Sequence, residues 1–276
     1  MNKLLRAGFC RYLKNPLAAI AAVASLVIGL WGGVNAVFTI DDVFLIALFI
    51  TFAAFISLLI GREHSDGGFR NKVIKGYTKG QIFFSEWLLH TLICLAMLGV
   101  FLVGFCLTGH EVLALVPGGM LALIVLCFVC MLVAIVTLLC VLALFIDNRA
   151  VAAILSVFLV VGLLFASYSI DAALSSPQYY QIGHCDEANE VVLWEQVENP
   201  RYVKGVWRVL LTHLNYTIPL GQSEPLLELI GIWNYEETQV DLSQLNVVKL
   251  LPVYSLCVTM AVGGIGYALF RRRDLK

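Results

Sequence analysis

Glu86 and His90 stand four residues apart at the start of a long apolar run, residues 82–107, that otherwise lacks ionisable side chains. On a helix that spacing puts the carboxyl and the imidazole on one face. Charged groups in an apolar span are costly and rare, which marks the pair as a functional candidate. Two roles fit. Glu86, about one turn inside the run, can snorkel or pair with a neighbouring basic residue as a structural contact. Alternatively, Glu86 and His90 gate a movement. Without a third group they do not read as a catalytic dyad, and no catalytic residue is assigned. No Gly-x-x-x-x-Gly-Lys-Ser/Thr loop is present to cradle nucleotide phosphates, and neither His-Glu-x-x-His nor Gly-x-Ser-x-Gly occurs. Cys127-x-x-Cys130 has metal-like spacing but lies in an apolar run without a second pair, so it reads as core. His184-Cys185-Asp186-Glu187 would need a sharp turn to aim four adjacent side chains at one ion, and no metal site is expected. Asn215-Tyr216-Thr217 matches a glycosylation sequon, a pattern frequent by chance.

The second candidate is a polar island. Residues 61–86 carry Arg62, Glu63, His64, Asp66, Arg70, Lys72, Lys75 and Lys79 between two apolar runs. A segment this charged must face water, and it is suited to touching a soluble partner.

The elements that must position these groups are membrane spans. The chain of 276 residues is 60% hydrophobic and 13% charged, about half the charge of an ordinary soluble domain. Six runs approach the roughly 20 apolar residues needed to cross a bilayer: 16–38, 43–60, 82–107, 120–146, 150–170 and 250–270. Residues 1–15 precede the first run. Lys3, Arg6, Arg11 and Lys14 fall on one side of a helical wheel there, with Leu5, Phe9, Tyr12 and Leu13 opposite. That is the pattern of a helix lying on a membrane surface, with Pro16 at the turn into the bilayer. The first run is long enough to span and is read as an anchor, not a cleavable signal.

With the N-terminus in the cytoplasm and six alternating spans, 14 of the 18 basic residues fall on the cytoplasmic side. The short outer connections 39–42 and 108–119 contain no Lys or Arg. The positive-inside rule therefore puts both termini in the cytoplasm. The organisation is a surface helix at 1–15, spans one to five at 16–172 with the polar segment at 62–80, an outer segment at 173–249, and the sixth span with a basic tail at 250–276. The outer segment has Tyr and Trp but none of the sixteen Phe, which suits the membrane–water boundary. Helical periodicity over 203–214 and 225–233, broken at Pro219 and Gly221, predicts two short helices there. Its acidic surplus reads as a solvated surface. A disulfide within it is impossible, because Cys185 is its only cysteine. Gly29-x-x-x-Gly33 and the cluster Ala261, Gly263, Gly264 and Gly266 predict close helix approach. The expected fold is an all-α integral membrane protein with six transmembrane helices, an N-terminal interfacial helix and an outer helical segment.

The polar island also resembles the connection after the second span in ABC-2-type transporter permeases. That connection runs Glu, then Asp-Gly-Thr, then Arg-Asn-Lys, then Gly-x-Ser-Arg. Here Glu63, Asp66-Gly67, Arg70-Asn71-Lys72 and Gly76-Tyr77-Thr78-Lys79 occupy those places. Gly266-Tyr-Ala-Leu-Phe270-Arg-Arg-Arg-Asp274 is similar to the family's closing signature. The insert most resembles small permeases of Gram-positive bacteria that export peptides or antibiotics, including lantibiotic and bacitracin self-protection systems. Two places depart from the pattern: Gly68 stands where Thr is usual, and Lys79 replaces Arg, keeping the charge but losing the planar fork.

The resemblance implies that Glu63–Lys79 forms a coupling helix seated in a groove on a separate ATPase subunit, with Glu63, Asp66, Gly67, Arg70, Asn71, Lys72, Gly76 and Lys79 as the coupling residues. It also implies two ATPase copies, a second permease copy (identical or related), and ATP with Mg bound on the partner, not on this chain. The protein would then be a multi-pass subunit of the bacterial plasma membrane, contacting lipid but not nucleic acid, with no enzyme activity of its own. Two other classes stay open: a sensor or scaffold that signals through the island, and a lipid-modifying membrane enzyme.

Overall fold

A computed structural model describes residues 2–36, 43–186, 191–234 and 242–274. A short helix, α1 (Asn2–Leu13), precedes the first long helix, α2 (Pro16–Ala36). Next come α3 (Val43–Ser65), the seven-residue α4 (Gly68–Ile74) and α5 (Lys79–Thr108). A one-turn helix, α6 (His110–Leu115), leads to the antiparallel pair α7 (Gly118–Phe145) and α8 (Arg149–Ser175). A hairpin, β1 (Tyr179–Asp186) and β2 (Val191–Glu198), is followed by α9 (Val206–Thr217), a 3₁₀ turn at Pro219–Gln222, and α10 (Ser223–Asn234). The chain closes with α11 (Leu242–Arg272).

Among the described residues, six helices are long and apolar enough to cross a membrane: α2, α3, α5, α7, α8 and, from Asn246, α11. The protein is a multi-pass membrane protein. Its core is built on α3, whose Leu48, Phe52, Ala53, Ile56 and Ile60 are fully buried, packed between α7 and α8. Outward faces of α2, α8 and α11 stay apolar, with Ile20 and Val27, Phe158 and Phe165, and Met260 and Ile265 exposed. In water such faces would aggregate; in hydrocarbon they match the solvent.

Polar side chains pin neighbouring helices across the apolar interior. Ser57 donates to Ser156 Oγ at 2.5 Å between α3 and α8, and Trp87 Nε1 to Thr137 Oγ1 at 2.8 Å between α5 and α7. The α2–α5 crossing is the closest packed. Gly29 and Gly33 lie against the backbone of Phe101 and Phe105, and Gly104 faces the Leu26 carbonyl in return. Thr108 Oγ1 donates to the Leu30 carbonyl at 2.9 Å. In the last helix only Gly266 has this role, pressed against Val141; Gly264 has open space beside it.

The all-α expectation holds for the membrane-spanning body, and a two-stranded hairpin is added in the outer segment. Tyr179–Asp186 pairs antiparallel with Val191–Glu198, where the outer segment had been expected to be helical. The reason is local: Tyr179-Tyr180-Gln-Ile and Val191-Val-Leu-Trp are rich in aromatic and β-branched residues, which favour extended backbone. His184-Cys185-Asp186 continues that strand, and Glu187 lies outside the described residues. The helix α9 starts three residues later than the 203–214 stretch and ends three later, α10 covers 225–233, and the 3₁₀ turn falls at the Pro219–Gly221 break.

Candidate functional site

The polar island folds as the bracket between α3 and α5. The third helix runs past its apolar stretch to Ser65 before the chain reverses at Gly67, whose φ of 64° is left-handed and favours glycine. After α4 a second left-handed glycine, Gly76 at φ 82°, turns the chain again. Thr78 then caps α5: its side chain accepts from the Gln81 amide while the Gln81 side chain accepts from the Thr78 amide. This reciprocal capping box gives α5 a sharp start.

On its inner side α4 is held by a closed chain of charges. Glu63, 4% exposed, receives Arg11 on Oε1 and Lys72 Nζ on Oε2 at 3.0 Å. Lys72 also reaches Glu86 Oε1, and Tyr12 donates its hydroxyl to Glu86 Oε2 at 3.3 Å. Arg11 and Tyr12 are neighbours on α1, so the loop closes through four elements: α1, α3, α4 and α5. Two cations meet two carboxylates, and every carboxylate oxygen has a partner. A buried carboxylate is tolerable only when paired and hydrogen-bonded in this way. Gly68 makes room for the loop, since a Cβ there would strike Glu63 Oε2. Burial first, and then the Glu86 charge, push the Tyr12 hydroxyl well above the usual tyrosine range.

His90, fully buried, donates its Nδ1–H to the Glu86 carbonyl at 2.8 Å, and its ring lies 5.3 Å from that of Tyr12. Its Nε2 has no hydrogen-bond partner among the described residues. Glu86 and His90 thus share a face, as their spacing predicts, and Glu86 pairs with a basic neighbour.

Aromatic packing ties α4 to the other end of the chain. Phe69 is buried, 4.6 Å from the His64 ring and 6.4 Å from Phe270 at the end of α11; Phe83 on α5 lies 5.8 Å from Phe270. Lys79 Nζ donates to the carbonyls of Arg271 (3.2 Å) and Arg273 (2.6 Å), capping the last turn of α11. Arg273 in turn pairs with Asp147 at 2.5 Å, and His64 Nδ1 lies 3.2 Å from the same carboxylate.

The eight island residues therefore divide. Glu63, Lys72 and Lys79 point into the protein and hold it together. Gly67 and Gly76 turn the chain. Asp66 is exposed and pairs with Arg62 on α3 at 3.3 Å. Arg70 faces outward with the exposed Val73 and Ile74, while Asn71, also exposed, borders a cavity on the side of α4 toward α1. Sequence reasoning missed Tyr12 and Phe69 as members of the site, and placed Arg11 with the outward basic stripe of α1. Arg11 instead turns to Glu63. No spacing rule links position 11 or 12 to positions 63 and 86, so nothing local could reveal it.

No protein-family model matches the chain, and no curated protein matches its sequence.

Proposed function

We propose that the chain is the permease subunit of an ATP-binding-cassette exporter, with α4 as the element that couples it to a separate ATPase. One observation carries this reading. The inner side of α4 is locked to α3, α5 and α11, while its outer side presents Arg70, Val73 and Ile74, the last of these 71% exposed. A lever needs both properties: a rigid root in the spans and a free surface for the motor. Exposed Val73 and Ile74 beside Arg70 make a mixed apolar and basic patch, the composition of a protein contact. Nucleotide-driven closure of a soluble partner seated on that patch would push α4 and tilt α3 and α5 with it.

In this reading two permease copies work with two ATPase copies, ATP and Mg are bound by the ATPase, and this chain performs no chemistry. The end bearing α1, α4 and the tail of α11 is cytoplasmic, in a bacterial plasma membrane, and α1 lies in the interface. The cargo is an amphipathic molecule such as a peptide, antibiotic or lipid. The resemblance of the island to ABC-2-type permeases supports the reading, as does the 14-to-4 split of basic residues between the two sides.

Affinity purification of the full chain from its native membranes should retain an ATP-binding-cassette ATPase. Arg70→Glu with Ile74→Asp should lose it while the thermal midpoint stays within about 2 °C, because both positions are exposed. If wild type retains no such ATPase, or the variant keeps it, the coupling role fails.

A further inference from the structure

Beside the charge loop lies a cavity of about 330 Å³, between α1, α4 and the start of α5. Its lining has two chemical halves. Lys3, Arg11, Lys72 and Lys75 supply four cations, with the polar groups of Asn71 and Tyr77 among them. Leu4, Ala7 and Leu89 form an apolar wall. Two carboxylates, Glu63 and Glu86, also reach the cavity, but all four of their oxygens are engaged by Arg11, Lys72 and Tyr12. The lining therefore has two cations more than carboxylates, and the surplus belongs to Lys3 and Lys75. Both are exposed, and neither forms an ion pair among the described residues. They come from different elements, α1 and the turn after α4, and converge on one cavity. Like charges brought together in this way repel unless an anion joins them.

We propose that this cavity binds a phosphate-bearing anion, and that its natural occupant is the headgroup of an anionic phospholipid from the adjoining leaflet. The phosphate sits between Lys3 and Lys75, with Arg11 behind it. Phosphate is the anion that a cluster of Lys and Arg donors takes best. The apolar wall favours a lipid over free phosphate, because it can receive the glycerol and first methylenes of a chain. A basic recess at the level where helices enter a membrane is the setting in which headgroups are held. Occupied, the site would clamp α1 to the turn after α4, so the lipid composition of the leaflet would set how firmly the bracket is held. The proposal needs the protein to sit in a membrane but does not depend on transport.

The test is a titration of the purified full chain in detergent with short-chain phosphatidylglycerol, phosphatidylcholine or inorganic phosphate, read as Kd by microscale thermophoresis. Wild type should bind phosphatidylglycerol and not phosphatidylcholine. Lys3→Gln with Lys75→Gln should weaken that binding about 30-fold, the equivalent of two lysine–headgroup contacts. Arg271→Gln with Arg272→Gln removes the same charge from the exposed tail and should leave Kd within about twofold. All four side chains are exposed, so folding is not at stake. Inorganic phosphate binding with the same lysine dependence would keep the site and assign it a soluble ligand. Equal losses in both double variants, or equal binding of the two lipids, would overturn the proposal. Because no ATPase takes part, failure here leaves the coupling reading untouched.

Discussion

At the scale of single residues, Lys72 decides whether the site holds. Among the described residues it is the one cation that touches both Glu63 and Glu86. Lys72→Ala would leave Glu86 buried beside the Tyr12 hydroxyl and the His90 ring, without its ammonium partner, and breaking a buried ion pair from one side costs about 3–5 kcal/mol. Thermal unfolding of Lys72→Ala should show that loss, and Lys72→Met combined with Glu86→Gln should recover most of it. Tyr12 predicts a pH effect. Its proton is held more tightly in the folded protein than in the unfolded chain, so its contribution to stability is complete below about pH 10, the unfolded value. That contribution is lost as pH rises further, toward the folded value. Stability measured from pH 8 to 11 should fall more steeply in wild type than in Tyr12→Phe; parallel curves would show that the hydroxyl is not protected. Glu86 and His90 were legible as a pair from spacing alone. Their partners were not, because Lys72 and Tyr12 come from other elements.

At the scale of elements, the crossing of α2 and α5 rests on absent side chains. A Cβ on Gly29 would meet the Phe101 carbonyl, and one on Gly33 would lie 2.6 Å from the Phe105 carbonyl. These are backbone atoms, which cannot swing aside. Gly29→Ala should therefore destabilise the protein by at least about 1–3 kcal/mol, the usual cost of overpacking. Gly99→Ala on the same α5, with nothing within 4 Å, should be neutral or stabilising by about 0.5–1 kcal/mol. Equal effects in denaturant titrations would mean that the helices do not meet so closely. The end of α11 depends on Lys79, whose ammonium holds two terminal carbonyls. In Lys79→Gln that turn should fray, and trypsin should cut after Arg271–Arg273 faster than in wild type. The spans were readable from hydrophobic runs, although α3 and α11 extend beyond theirs. The hairpin was not read, because Tyr and Trp in an outer segment point equally to an interfacial helix.

At the scale of the whole molecule, the ion pairs and ring contacts that join α1, α3, α4, α5 and the tail of α11 among the described residues gather at one end of the bundle. The outer faces of α2, α8 and α11 are left apolar. This asymmetry makes orientation testable. On a background with the native cysteines removed, Asn71→Cys and Gln196→Cys place a thiol at opposite ends, both exposed. A membrane-impermeant maleimide added to intact cells should label Gln196→Cys, and should reach Asn71→Cys only after lysis. The reverse pattern would invert the topology. No other single experiment bears as directly on which surface a soluble partner can reach.

What the amino-acid sequence determined by itself is whatever depends on runs and periods. It settled six apolar spans, the polar island between two of them and the shared face of Glu86 and His90, since hydrophobicity and helical pitch act over neighbouring residues. The tertiary structure decided which island residues are exposed and which are committed. Arg70 and Lys72 are chemically alike and two positions apart, yet one faces outward and the other closes a buried ion chain. That difference arises where α1, α3, α4 and α5 meet. It depends on residues 11, 12, 63 and 86 arriving at one place, which is a property of packing and not of order along the chain.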